Sequence, residues 1–233
     1  RSEAEAGSRA PGRHRHHPRH ASAFHGAKVN LQHVTPPTQN EILAILSVAE
    51  LKKNQRVFST AEDDLFLDAI LSAYYDLDGR YGWLNRSILT QTWALYLPAL
   101  EDGMELPLSP VQSITSITYR DTANAEQTLA ATEYDVTLHD LVPRVTRAYG
   151  KTWPSTYSRP DAVKITYVAG WGNGAAVREK AEGIRRGMIL LGGHYYQNRE
   201  QTYKEPRLVQ VNRMLVYGVE EAAGKYRIAK DHG

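Results

Sequence analysis

The hydrophobic positions along this chain change their period twice, and the changes divide it into three stretches. The first, residues 38–87, has helical spacing. Glu41 to Ala49 is rich in apolar residues, and Ser47 is placed to cap a short helix running to Lys53. Ser59-Thr60-Ala61-Glu62 then has the form of a capping box. Glu62, Asp63 and Asp64 put negative charge at the positive end of the following helix dipole. That helix is predicted to run to about Tyr81. Leu65, Phe66, Leu67, Ile70, Leu71, Tyr74, Tyr75 and Leu77 cover most of its circumference. A helix apolar on so many sides is buried in its own domain or shared with a neighbouring subunit.

From Ile88 the period becomes two, and residues 88–170 read as β-rich. Trp93, Leu95 and Leu97 alternate with Thr92, Ala94 and Tyr96, the pattern of a half-buried strand. Pro98, Gly103, Pro107 and Pro110 punctuate the next stretch. Val111 to Arg120 is a second strand, Asp121-Thr122-Ala123-Asn124 a turn, and Glu126 to Leu129 the return. Tyr134–His139, Val145–Tyr149 and Ala162–Ala169 supply three more. Short strands with no helices between them predict an antiparallel sheet or a small barrel. After Gly174 the helical period returns, and residues 175–233 read as helical. Ala181, Ile184, Met188, Leu191 and Tyr195 share one face, with Gly192-Gly193 as a weak point or a close-packing point. Pro206 interrupts, and Leu208 to Ile228 is amphipathic. The order helices, strands, helices is α+β.

Residues 1–37 show neither period. Six of the nine histidines lie there among Arg, Gly, Pro and Ser, and Pro36-Pro37 closes the stretch. It reads as an extended His/Arg-rich arm in front of a single domain spanning 38–233. Its composition cannot bury enough apolar surface to fold alone. The net charge of +2 hides an asymmetry here. Arg1, Arg9, Arg13, Arg15, Arg19 and Lys28 against Glu3 and Glu5 give the first 30 residues +4, which leaves the rest at −2. The body therefore lacks the global charge of a nucleic-acid binder, and only the arm has the character of a DNA-binding module. There are no cysteines, which removes disulfides, thiolate zinc sites and cysteine nucleophiles together, and suits synthesis in a reducing cytoplasm. No apolar run approaches membrane-spanning length, so no membrane is expected.

Candidate chemistry adds little. Gly170-Trp171-Gly172-Asn173-Gly174-Ala175 follows a strand and opens a helix, as a pyrophosphate-binding turn does. A dinucleotide fold would need a second parallel strand after that helix, and the stretch around His194-Tyr195-Tyr196 is still helical. A nucleotide-binding enzyme is the weaker alternative, and a glycine-rich strand-to-helix turn the stronger. The tract from Arg13 to His20 lacks the spacing and carboxylate partners of a metal site. His139-Asp140 diverge at a strand end, and His194 is a lone helical histidine. No catalytic, cofactor or metal residue is assigned, and no cofactor. Fourteen tyrosines and four tryptophans against three phenylalanines do stand out. Large side chains with polar tips suit surfaces that are wet before assembly and dry after it. The interface candidates are Leu67, Leu71, Tyr74 and Tyr75 on the first long helix, and Tyr195, Tyr196, Arg199 and Tyr203 around the end of the second. Tyr217 and Tyr226 near the C-terminus, and Arg13, Arg15 and Arg19 in the arm, complete the set.

Several segments in order resemble head–tail connector proteins of tailed phages, also called adaptors or head-completion proteins. They are Leu46 to Lys53 with acidic Glu62-Asp63-Asp64, Leu89 to Trp93, Leu106 to Ile114, Ala148 to Pro154, Val168 to Gly172, and His194 to Glu200. Tyr217-Gly218-Val219-Glu220 through Tyr226-Arg227 is similar to the family's usual ending. The resemblance covers about residues 46–228 and extends to the adaptors of gene transfer agents. It implies a structural virion protein, made in the host cytoplasm and located at the head–tail junction. Its copies, typically twelve, would form a ring below the portal protein and join it to the next tail-side connector or stopper protein. DNA would pass through the lumen without specific binding. The arm has no counterpart in the family pattern, and Arg207 to Leu215 replaces its usual run of prolines and small residues.

Overall fold

The computed structural model describes residues 30–139, 141–198 and 217–228. Two reciprocal capping boxes open the helical part. Thr38 and Glu41 cap α1 (Gln39–Leu43), which the periodicity does not reveal, and Ser47 and Glu50 cap α2 (Val48–Gln55) as expected. At the second, Glu50 N–H donates to Ser47 Oγ at 3.2 Å and Ser47 N–H to Glu50 Oε2 at 2.9 Å. The box expected at Ser59–Glu62 does not form. Ser59 Oγ accepts instead from Ala61 N–H at 3.2 Å, and α3 (Asp63–Leu77) starts without a side-chain cap. The reason is tertiary. The Glu62 carboxylate is taken by the Tyr196 hydroxyl at 2.6 Å, and Asp63 pairs with Lys52. α3 also ends four residues before Tyr81, because Asp78 turns extended (ψ 148°) and accepts the Ile88 N–H at 2.7 Å.

The strands are β1 (Asn30–Thr35), β2 (Gln91–Leu97), β3 (Met104–Glu105), β4 (Val111–Arg120), β5 (Glu126–Thr128), β6 (Tyr134–Thr137), β7 (Arg144–Arg147) and β8 (Val163–Ala169). They form an antiparallel five-stranded sheet in the order β1-β2-β8-β4-β5 and a three-stranded sheet β3-β7-β6. Residues from both sheets share one core, including Trp93, Leu95, Met104, Ile117, Val145, Ile165 and Tyr167. β2 alternates as expected, with Gln91, Trp93, Leu95 and Leu97 buried on one face; on the other, Thr92 and Tyr96 are partly covered and Ala94 is buried as well. β1 itself uses residues 30–35, a stretch whose pattern reads as arm.

Helical structure resumes as α4 (Gly174–Lys180) and α5 (Glu182–Gln197), with a break at Ala181, and residues 217–223 form α6. Gly192-Gly193 proves to be a close-packing point. A Cβ at Gly193 would stand 2.4 Å from the Gln55 side chain of α2. The helices enclose a second core around Phe66, Ile70, Tyr74, Leu77, Ile184 and Met188. The architecture is α+β, with helices and strands in separate cores.

Glu50 ties three helices together. Besides capping α2, it accepts from Arg178 of α4 at 2.8 Å and Arg185 of α5 at 3.0 Å. Burial works against the ionised carboxylate, but the Ser47 and arginine hydrogen bonds outweigh it and bring its pKa down to about 2. A depressed carboxylate stabilises the fold fully above its unfolded value near 4.5, and that contribution is lost as pH falls toward 2. Glu50→Gln is therefore expected to lower the urea midpoint at pH 7, and the gap from the parent protein should close as unfolding is repeated at lower pH. A gap independent of pH would show that the carboxylate charge is not what matters.

Candidate assembly surfaces

The glycine turn is where the two cores meet. Gly170 ends β8 with φ 124°, and a Cβ there would lie 2.0 Å from the Leu89 carbonyl oxygen. A Cβ on Gly174 would lie 2.6 Å from Ala44. The Gly170 and Trp171 amides donate to the Pro110 and Ile88 carbonyls at 2.8 and 2.9 Å, and Asn173 Oδ1 caps α4 through Ala176 N–H at 3.0 Å. After the seven residues of α4 the chain enters α5, not a parallel strand. These glycines are thus accounted for by close approach of backbones. An open hollow of about 550 Å³ lies over the turn, lined in part by Pro110, Gln112, Trp171 and Lys180. Among the described residues no group of three or more His, Asp or Glu is placed to hold a metal, and no helix is long and apolar enough to cross a membrane.

The tyrosines divide sharply by position. Tyr74 is fully buried beside Asp78 and Gln91, so it belongs to the chain's own core and is not available at a surface. It falls on the stripe Phe66, Ala69, Ile70, Ala73, Leu77, whose helical spacing marks the buried face. Tyr195 and Tyr196 are half-buried and pinned: Tyr195 donates to Asp76, and Tyr196 stacks on Phe66 at 3.9 Å. Tyr226 stands edge-on to Trp171. Leu67 and Leu71 are partly covered. Tyr75 and Tyr217 are open, at 55% and 70% exposure. Arg13, Arg15, Arg19, Arg199 and Tyr203 lie outside the described residues. His194 is half-buried against Tyr195 and hydrogen-bonded to Asn198, and burial lowers its pKa.

Other exposed apolar side chains escape any periodic pattern because they sit in turns. Phe58 (87%) lies between α2 and α3, Tyr81 (92%) after α3, and Tyr149 (102%) in the turn after β7. Leu138 and Leu141 project from the connection between β6 and β7. Exposed apolar side chains scattered singly are ordinary on a protein surface and mark a contact surface only where they lie together, so these positions are candidates for contact. One set belongs to the helical half and another to the three-stranded sheet. Charge is also uneven: α3 carries Asp63, Asp64, Asp68 and Asp76 and no basic residue.

No protein-family model matches the chain, and no curated protein matches it. Solved structures do. A chain in the neck of an empty gene transfer agent particle, computed with C6 symmetry, superposes with a TM-score of 0.65 at 23% identity, over 88% of this chain and 98% of that one. The fold is that of chains in gene transfer agent particles. A chain in the virion of the native particle gives 0.63 at 23% identity over 87% and 97%, and one in the native neck with C12 symmetry gives 0.59 at 21% over 88% and 98%. The match spans both halves of the molecule.

Proposed function

We propose that this chain is a head–tail connector subunit, a structural virion protein whose work is binding and not catalysis. Copies close into a ring at the head–tail junction, twelve of them as the C12 symmetry of one similar neck suggests. The ring joins the portal protein to the next tail-side connector and leaves a channel for DNA. The observation that carries this is the coverage: nearly the whole of a neck chain, helical core and sheet core alike, is matched.

The surfaces suit the role. A closed ring is built from a heterologous contact, which needs two different faces on each subunit. Exposed apolar groups are found on more than one part of the subunit, among them Phe58, Tyr75, Tyr81 and Tyr217 on the helical part, Leu138, Leu141 and Tyr149 by the three-stranded sheet, and Val34 on β1. A body of slightly negative charge gives a lumen to which DNA does not adhere. The basic arm, residues 1–29, then acts as a staple onto an acidic surface of a neighbouring connector, the portal or the capsid.

Mass measurement tests this. The free chain should weigh as a single subunit, and the same chain bound to portal should add the mass of twelve. A chain that binds DNA through its arm, with affinity collapsing between low and physiological salt, and does not multiply on the portal would refute the connector role.

A further inference from the structure

Just past the end of α3 the chain gathers positive charge on aromatic rings. The Arg80 guanidinium lies 5.9 Å from the Tyr81 ring, and that of Arg227 lies 4.9 Å from the Trp83 ring. Lys225 Nζ stands 4.9 Å from the Tyr226 ring, which itself meets Trp171 edge-on. Residues 80–86 and 224–228 cross to make one surface of these groups. The Ile228 N–H donates to the Leu84 carbonyl at 3.0 Å, and a Cβ on Gly224 would stand 3.9 Å from the Trp83 ring. Tyr81, Lys225 and Arg227 are exposed and Arg80 is partly so. Among the described residues none of the three cations has a carboxylate partner, although Glu220 and Glu221 precede them on α6. A cation resting on a ring is held in place while its N–H groups stay free to donate. Such a surface loses little freedom when it meets an acidic partner.

The complementary face lies on α3 itself. Asp64 and Asp68 are exposed, one turn apart, on the side opposite the buried stripe of Phe66, Ile70 and Tyr74. Tyr75, 55% exposed, continues the same line. Asp63 is engaged by Lys52 and Glu62 by Tyr196, but Asp64 and Asp68 have no partner among the described residues. The helix dipole accounts for Asp64 in the first turn, and it has fallen off by Asp68. From Asp68 to the end of α3 at Leu77 is roughly 14 Å along the axis. The helix therefore keeps the acidic face and the cationic surface of one chain apart.

We propose that the cationic aromatic surface of one copy docks on the acidic face of α3 in the next copy, with Arg80, Lys225 and Arg227 meeting Asp64 and Asp68. This rests on the ring reading above and names its contact. The two faces differ and each occurs once per subunit, so the contact is heterologous and repeats from copy to copy around a ring. Opposite charges across such a contact select the partner and fix its register. The open rings of Tyr75 and Tyr81 supply apolar area beside the charges, which ion pairs in water do not provide.

Carbodiimide crosslinking, which joins a carboxylate to an amine with no spacer, tests the contact on the full wild-type chain. A mixture of isotope-labelled and unlabelled protein is treated both free at high concentration and bound to portal. Peptide mass spectrometry should find Lys225 joined to Asp64 or Asp68 in mixed-label pairs. Charge reversal gives a second readout. Asp64→Lys with Asp68→Lys, or Arg80→Glu with Arg227→Glu, should each raise the concentration needed to load the portal by about tenfold or more. An equal mixture of the two double variants should load like wild type, because each supplies the charge the other lacks. If the portal gathers many copies but neither sample yields the link, or each double variant alone loads like wild type, this contact is overturned and the connector role stands. If the free chain yields the link and the portal gathers no copies, the contact stands and the role falls. Linked complexes that stop at two copies would show a two-fold pairing and overturn the proposal. So would duplex DNA that shields Lys225 from acetylation while no link forms, since the surface would then serve phosphate.

Discussion

Gly170→Ala should destabilise the fold by about 3 kcal/mol or more. Two costs add at this position. The φ of 124° is one that side chains rarely adopt, and the added Cβ would stand 2.0 Å from the Leu89 oxygen and 2.4 Å from its carbonyl carbon. Neither atom can yield without moving β2, whose neighbours on both sides are fixed by the sheet. Gly172→Ala should cost less, since there the obstacle is the Ala176 methyl at 2.8 Å and the strain is mainly that of φ 126°. Urea unfolding of the two variants checks the order. The comparison also separates a joint from a ligand site. If the turn is structural, calorimetry of the wild type with NAD or ATP gives no binding tighter than about 1 mM. Micromolar nucleotide binding that is lost in a well-folded Gly170→Ala would contradict this account.

Phe66→Ala should cost about 3–5 kcal/mol, the usual penalty for emptying a fully buried phenyl site. Phe66 is 0% exposed, lies at the start of the buried stripe of α3, and carries the Tyr196 ring at 3.9 Å. Its removal opens the contact between α3 and α5 on which the helical core depends. Tyr196→Phe keeps the stack and loses the hydroxyl that donates to Glu62, so it should cost only about 1 kcal/mol. Denaturant midpoints of both variants measure this. A Tyr196→Phe protein of unchanged stability that no longer joined its neighbours would place that hydroxyl at a subunit contact.

What the sequence conveyed depended on whether a feature is local. β4 and β8 were legible because Thr, Ile and Tyr alternate and the turn between β4 and β5 is written in its residues. Asp121 accepts the Ala123 and Ala125 amides, and Asn124 takes a φ of 63°. β1 was not legible, since it is an edge strand exposed along almost its whole length and alternation never develops. The Ser59–Glu62 box failed because Tyr196, 134 residues away, claims the glutamate. The assignment of Tyr74 to a surface failed for the opposite reason. Its spacing from Phe66, Ile70 and Leu77 already marked it as core, but the abundance of apolar residues around the helix hid the stripe. Tyrosine richness pointed to surfaces without saying which tyrosines face them, and the turn residues Phe58, Tyr81 and Tyr149 have no period from which exposure can be read.

An electron cryomicroscopy reconstruction of the particle neck that contains this chain tests the connector role most directly. The account predicts a closed ring of this chain between portal and tail, with adjacent copies touching through α3 or α5 and the exposed aromatics near them. Density showing the chain as isolated copies, with no contact between neighbours through either helix, would contradict it.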